Sequence, residues 1–171
     1  VKPNARFMIN KAKSISVRQA VDQCEFLDFG CGIGSTVFHA RAEGVSMWGA
    51  DTFDGYYEEW ITKLPTEVAE YIKRIDSGLP FEDGFFEGVI SNQVFEHIED
   101  PERSLIEIGR VLRAGGKLVI IFPDAGVLRE GHIGLWMPHW FRGWQSGQRI
   151  YLKICYYLGM GRKRQHGVDG W

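Results

Sequence analysis

The residues best placed to do chemistry are an aspartate and three glycines near the start of this 171-residue chain. Asp28 follows the apolar pair Phe26-Leu27, glycines stand at positions 30, 32 and 34, and helical spacing begins at Thr36. This order predicts a strand, a tight turn and a helix N-terminus. Glycine lets such a turn approach a ligand closely, and the helix start offers unpaired N–H groups. The turn is a candidate nucleotide-type site, although an ordinary turn fits the spacing alone.

A second acid, Asp51, ends the next predicted strand, 23 residues after Asp28. A carboxylate at this point can accept hydrogen bonds from both hydroxyls of a ribose, because it has two acceptor oxygens at diol spacing. Asp51 therefore indicates a nucleoside without choosing among the enzyme classes that bind one. A plain turn aspartate is the alternative.

Apolar runs bounded by turn residues predict five strands. They span about Cys24 to Phe29, Val45 to Ala50, Ile72 to Ile75, Phe85 to Ser91 and Leu118 to Phe122. Helical patterns separate most of these runs. The alternation predicts an α/β fold, a doubly wound and mainly parallel Rossmann-like sheet with helices on both faces.

Local signals give the expected helix ends. Val1 to Asn10 reads as an irregular lead, and Ser14 is a candidate N-cap for a short helix to Asp22. Residues 53–71 contain Pro65 and favour two short helices. A later helix should start at Asp100-Pro101-Glu102 and end at Gly115-Gly116.

The composition favours one globular domain, since 44% of the residues are hydrophobic and 25% are charged. No apolar run approaches the roughly 18 residues that would indicate a membrane span. Cys24, Cys31 and Cys155 lack metal-ligand spacing and cannot all pair, so we expect no metal site and a cytoplasmic setting.

Positive charge is concentrated in the C-terminal part of the chain. Residues 1–123 carry 13 basic and 19 acidic side chains, and residues 124–171 carry 7 basic and 3 acidic ones. A difference of this size favours a solvated face, and we expect no nucleic-acid partner.

A series of motifs runs through residues 24–124. The glycine turn reads D-x-G-x-G-x-G, and it is followed by Leu79-Pro80-Phe81, by Glu96-His97-Ile98 and by an R-V-L-R-x-G-G segment at 110–116. In this order and spacing the chain resembles the class I S-adenosylmethionine-dependent methyltransferase superfamily, in its type 11-like small-molecule branch. Glu87 stands where that family more often has aspartate.

The resemblance implies a set of residues that bind the cofactor S-adenosylmethionine. By position they are Asp28, Gly30, Gly32, Gly34, Asp51, Thr52, Asp76, Ser77, Asn92 and Gln93. The glycines and Asp28 would hold the amino-acid end, and Asp51 the ribose. Asp76 with Ser77 would face the adenine, and Asn92 with Gln93 the methionine portion.

The implied reaction is an in-line SN2 transfer of the methyl group to a small-molecule acceptor. The sulfonium is already a good leaving group, so the protein chiefly supplies proximity, alignment and exclusion of water. A domain that binds the cofactor without turnover is the alternative. A nicotinamide-dependent oxidoreductase is disfavoured by Ser35, which stands where the dinucleotide fingerprint places its third glycine.

His132 and His139 are the candidate catalytic residues, because they follow the last predicted strand, where ligand-facing loops gather. His97 is expected to be structural, and no third ligand supports a zinc pair. Residues 135–160 interleave aromatic and basic residues. They favour a helix packed on the sheet, or alternatively a segment that covers the substrate.

We expect one domain over residues 1–171, with a cofactor-binding core at 24–124 and a substrate-side or covering segment at 125–171. The family's sheet normally ends in an antiparallel hairpin, and residues 124–171 offer no pair of alternating runs for it. The chain is therefore expected to be a truncated member with an open edge at strand five. Residues 135–160 would cover that edge, or a second chain would do so in a homodimer.

Overall fold

The computed structural model describes residues 3–16, 24–54, 66–122, 144–158 and 160. It divides into two compact units, Val1–Phe122 and Pro123–Trp171. The first unit contains all five described strands, and the second contains one described helix.

The strands form one parallel sheet. They are β1 (Phe26–Phe29), β2 (Met47–Asp51), β3 (Ile72–Arg74), β4 (Phe86–Asn92) and β5 (Leu112–Ile121). Their order in the sheet is β3-β2-β1-β4-β5, so β1 is central and β3 and β5 are the edges among the described residues. All four pairings are parallel, which confirms the predicted sheet.

Five α-helices are described. They are α1 (Pro3–Ile15), α2 (Ser35–Ala42), α3 (Thr66–Ala69), α4 (Pro101–Val111) and, in the second unit, α5 (Gln145–Tyr157). A 3-10 turn spans Phe95–His97. As predicted, the Asp100 side chain caps α4 by accepting a hydrogen bond from the Arg103 N–H at 3.0 Å. Of the two helices predicted in 53–71, only the short α3 lies among the described residues.

Helices cover both faces of the sheet, as predicted. Buried residues of α1, α2 and α3 pack with Phe26 of β1 in one apolar cluster. Ile108 and Val111 of α4 pack with Leu27 of β1 in a second cluster. Successive residues of a strand point to opposite faces. Asp28 therefore lies on the same face as Phe26, under α2, and this placement matters for the site.

The prediction for the N-terminal segment is wrong. Residues 3–15 are helical, whereas an irregular lead was expected, and the Ser14 hydroxyl donates to the Lys11 carbonyl at 2.8 Å from inside the last turn of α1. The helix forms because Ala5, Met8, Ile9 and Ala12 place an apolar stripe against the sheet. Ser14 is therefore not an N-cap, and most of the helix predicted after it lies outside the described residues.

The predicted end of α4 is also wrong. The helix stops at Val111, and Gly115 and Gly116 lie inside β5. The strand partners shift irregularly, from Phe86–Leu112 to Gly88–Lys117, so β5 bulges at these glycines. A Cβ on Gly116 would stand 3.0 Å from the Glu87 carbonyl, which shows how closely the bulge approaches β4.

Candidate cofactor site

The glycine turn joins the carboxyl end of β1 to α2. Gly30 has φ 77, and its N–H donates to the Ala50 carbonyl at 2.7 Å, while the Cys31 N–H donates to the same oxygen at 3.2 Å. Gly34 precedes Ser35, the first residue of α2, and no side chain caps that helix. The turn is thus anchored to the end of β2, and the N-terminus of α2 opens beside it.

Packing inside the protein requires glycine at position 30, and less strictly at position 34. A Cβ built on Gly30 would stand 2.2 Å from Val94 Cγ2, and one on Gly34 would stand 2.2 Å from Ile72 Cδ1. These distances are far below van der Waals contact. At Gly30 the absent side chain therefore makes room for Val94, which is a different reason from the close ligand approach expected from the sequence. At Gly34 only the end of the flexible Ile72 side chain would have to move, and the positive φ of 70 is the stronger reason for glycine.

Asp51 connects the turn to the end of β2. One carboxylate oxygen accepts a hydrogen bond from the Gly32 N–H at 2.8 Å, and the other accepts one from the Phe53 N–H at 3.1 Å. Phe53 is fully buried with φ 54, an uncommon backbone conformation for a bulky residue. A carboxylate has about four lone-pair sites. Asp51 therefore keeps acceptor capacity for a ligand while it holds the glycine turn through Gly32 and the segment after β2 through Phe53.

Asp28 lies beneath the turn and is 5% exposed. Burial raises the pKa of this carboxyl from 3.8 to about 7, with a smaller upward contribution from the Asp51 charge and an opposing one from the Thr36 hydrogen bond. Burial, together with the Asp28 and Asp51 charges, also raises the pKa of Cys31. The three side chains therefore form one electrostatic group, in which Asp28 serves to tie β1 to α2.

The other proposed cofactor residues follow the carboxyl ends of neighbouring strands. Thr52, Asp76, Ser77 and Gln93 are exposed and Asn92 is half-buried. The Ile75 N–H donates to the Asp51 carbonyl at 2.9 Å, and the Gln93 N–H donates to the Ile121 carbonyl at 2.7 Å. Parallel strands bring all these residues to one edge of the sheet, where open α/β sheets bind ligands.

The structure thus brings Asp51 into direct contact with the glycine turn, and places Asp28 close enough to interact electrostatically with Asp51 and Cys31. His132 and His139 lie outside the described residues. Sequence reasoning missed Thr36, whose signal was its place in the first turn of the helix after the glycines. It also missed Val94, which had no signal, because nothing in the local pattern shows that this side chain packs under Gly30.

Metal ligation and membrane spanning find no support in the part of the chain that is described. Within those residues, no three His, Cys, Asp or Glu side chains are grouped as a metal ion would require. None of the described helices has both the length and the apolar character to cross a bilayer.

Comparison with known proteins identifies the family. A model of the methyltransferase domain matches residues 27–120, more than half of the chain. The norajmaline N-methyltransferase of Rauvolfia serpentina is 32% identical over 56% of this chain and 34% of its own length. The O-methyltransferase rstn1 of Aspergillus nomiae is 32% identical over 58% of this chain and 48% of its own.

A solved structure shows the same fold. It is a putative S-adenosylmethionine-dependent methyltransferase from Methanococcus maripaludis, which aligns with a TM-score of 0.51 and 24% identity over 68% of this chain and 55% of its own. The chain spans between a third and a half of the length of the two curated relatives. The sequence match and the fold agree, and the chain belongs to the methyltransferase domain family of the class I S-adenosylmethionine-dependent superfamily.

Proposed function

We propose that this protein transfers a methyl group from S-adenosylmethionine to a small-molecule acceptor. The observation that carries the proposal is the bond between the Gly32 N–H and Asp51, which fixes a carboxylate at the end of β2 against the glycine turn. A nucleoside bound there would be held both by the Asp51 carboxylate, as acceptor for its ribose diol, and by the backbone of the turn.

The residues of the site fit this cofactor. The remaining lone pairs of Asp51 can accept from two ribose hydroxyls, and the turn at 30–34 presents backbone to the amino-acid end. The Asp51 carboxylate gives the site acidic character, which suits a cationic ligand. When bound, the cofactor supplies a methyl group on a sulfonium that is already a good leaving group. The protein's own residues bind the cofactor and the acceptor, orient them for the transfer and exclude water from the site.

The proposed acceptor class is supported by the relatives, whose names describe an N-methyltransferase and an O-methyltransferase. Both support a small-molecule acceptor with a nitrogen or oxygen nucleophile. His132 and His139 remain the proposed contacts to the acceptor, with residues 125–171 as the acceptor-side segment. An oxygen nucleophile must lose a proton, and a histidine suits that task near neutral pH.

The proposal extends to the cellular compartment and the oligomeric state of the enzyme. Cys31 and Cys155 are free thiols in the structure, which supports a reducing compartment such as the cytoplasm. β5 is an edge strand of the described sheet, and this supports a homodimer through that edge unless residues 135–160 cover it. A nucleic-acid partner is not part of the proposal.

Asp51→Ala should weaken binding of S-adenosylhomocysteine, the reaction product, by about 1–3 kcal/mol, because the ribose hydroxyls lose their acceptors in a partly desolvated site. Titration calorimetry measures this. Asp54→Ala is the matched control, since Asp54 is exposed and pairs with Arg74 at 3.4 Å. Wild-type affinity in Asp51→Ala would remove Asp51 from the site.

A further inference from the structure

The turn that follows β3 is held by side chains of α4. The Arg103 guanidinium donates to the Ser77 carbonyl at 2.7 Å. The Leu79 N–H donates to the Glu107 carboxylate at 2.9 Å, and the Leu79 carbonyl accepts from Arg110 at 2.8 Å. Both polar groups of the Leu79 backbone are therefore bound by one Glu–Arg pair.

That pair is itself fixed in place. Arg110 Nε and Nη2 meet the two oxygens of Glu107 at 3.1 and 2.9 Å, in a two-point contact that only a guanidinium can make. The hydrogen bond from Arg110 lowers the pKa of Glu107. Arg110 Nη1 also donates to the Phe81 carbonyl and to Asp83, each at 2.8 Å. The planar fork thus spans several groups of the turn at once.

Close packing leaves the turn little freedom. A Cβ on Gly78 would lie 2.7 Å from a Glu107 oxygen. Leu79 is 4% exposed and packs in the same apolar cluster as Leu27 and Ala50 of the central strands. The turn is thus tied to α4 by polar bonds and to the sheet by its one buried side chain.

The same turn borders the nucleoside end of the proposed site. The Ile75 N–H donates to the Asp51 carbonyl, and the next residues are Asp76 and Ser77. We propose that the Glu107–Arg110 pair is a positioning unit that sets the conformation of residues 76–79 and thereby the affinity for the nucleoside part of the cofactor. The inference rests on the proposed function. Both side chains are occupied with the turn, so the proposed role is positioning and not direct contact with the cofactor.

Arg110→Lys tests the inference while it keeps the charge. A single ammonium cannot bridge Glu107, Leu79 and Phe81, so S-adenosylhomocysteine should bind about threefold to tenfold more weakly, the factor that corresponds to one lost net hydrogen bond. In the ligand-free protein, hydrogen–deuterium exchange of a peptide covering 76–83 should become faster. Peptides from the glycine turn should keep wild-type exchange.

Two controls separate positioning from general stability. Asp83→Ala removes an exposed partner of Arg110 and leaves the bonds to Leu79 intact, so it should bind like wild type. Ile108→Val trims a buried side chain on the same helix, so it should lower the melting temperature without changing exchange at 76–83. An equal affinity loss in Ile108→Val would show that only stability matters, and would overturn the inference.

The remaining outcomes are distinct. If wild type binds S-adenosylhomocysteine and Arg110→Lys binds it equally well, the positioning role is wrong and the proposed function stands. If wild type binds no S-adenosylhomocysteine, the proposed function fails and this inference fails with it.

Discussion

Gly30→Ala should lower the free energy of unfolding by about 2–5 kcal/mol. Two costs add at this position. The backbone has φ 77, which disfavours any residue with a Cβ by about 1–2 kcal/mol. The new Cβ would also stand 2.2 and 2.7 Å from the two methyl groups of Val94, and overpacking of this kind costs about 1–3 kcal/mol. Chemical denaturation measures the sum.

Gly44→Ala separates the two costs. Gly44 has the same φ of 77, but nothing lies within 4 Å of the Cβ position. Only the backbone cost remains, so this variant should lose about 1–2 kcal/mol. If the free energy of unfolding falls equally in the two variants, the Val94 side chain can move aside at no cost, and the tight packing beneath the turn does not constrain position 30.

Asp28→Asn should remove a pH dependence of stability. The pKa of Asp28 is raised by burial from 3.8 to about 7 in the folded protein, so the folded state favours the protonated form. Between these values the folded state binds more protons than the unfolded state, and the free energy of unfolding therefore falls as pH rises. The full decrease is roughly 4 kcal/mol and is nearly complete at pH 8.

Asparagine is close in shape to the neutral acid and does not titrate. At about pH 3, below both pKa values, the variant and the wild type should unfold with similar free energies in the absence of ligand. At pH 5 the variant should already be more stable by roughly 2 kcal/mol, and at pH 8 by roughly 4 kcal/mol. Asp54→Asn, which changes an exposed carboxylate, is the control and should keep the wild-type pH profile. Parallel profiles for Asp28→Asn and wild type would mean that Asp28 does not carry the pH dependence.

Sequence patterns were sufficient for the sheet because its strands are apolar runs between clear turn residues. The central strand Phe26–Phe29 is buried throughout, and such runs are read correctly without knowledge of their partners. The Gly115-Gly116 pair was misread because glycines end helices and form strand bulges alike. The pairing of β5 with β4 around these glycines decides between the two roles, and that pairing is not local.

The candidate site, too, could be predicted from the sequence only in part. Asp51 and the glycine turn could be placed at one edge of the sheet from strand order alone, because parallel strands end together. The bonds from Glu107 and Arg110 to Leu79 could not be predicted from the sequence. They join residues 28 and 31 positions apart through side chains that follow no periodic pattern. The same is true of Val94 beneath Gly30.

Calorimetric titration of the wild-type protein with S-adenosylhomocysteine, compared with NAD under the same conditions, tests the central claim most directly. The fit of Asp51 and the glycine turn to a nucleoside that carries an amino-acid end predicts saturable one-to-one binding of S-adenosylhomocysteine and no measurable heat from NAD. Binding of NAD in preference to S-adenosylhomocysteine would contradict the account.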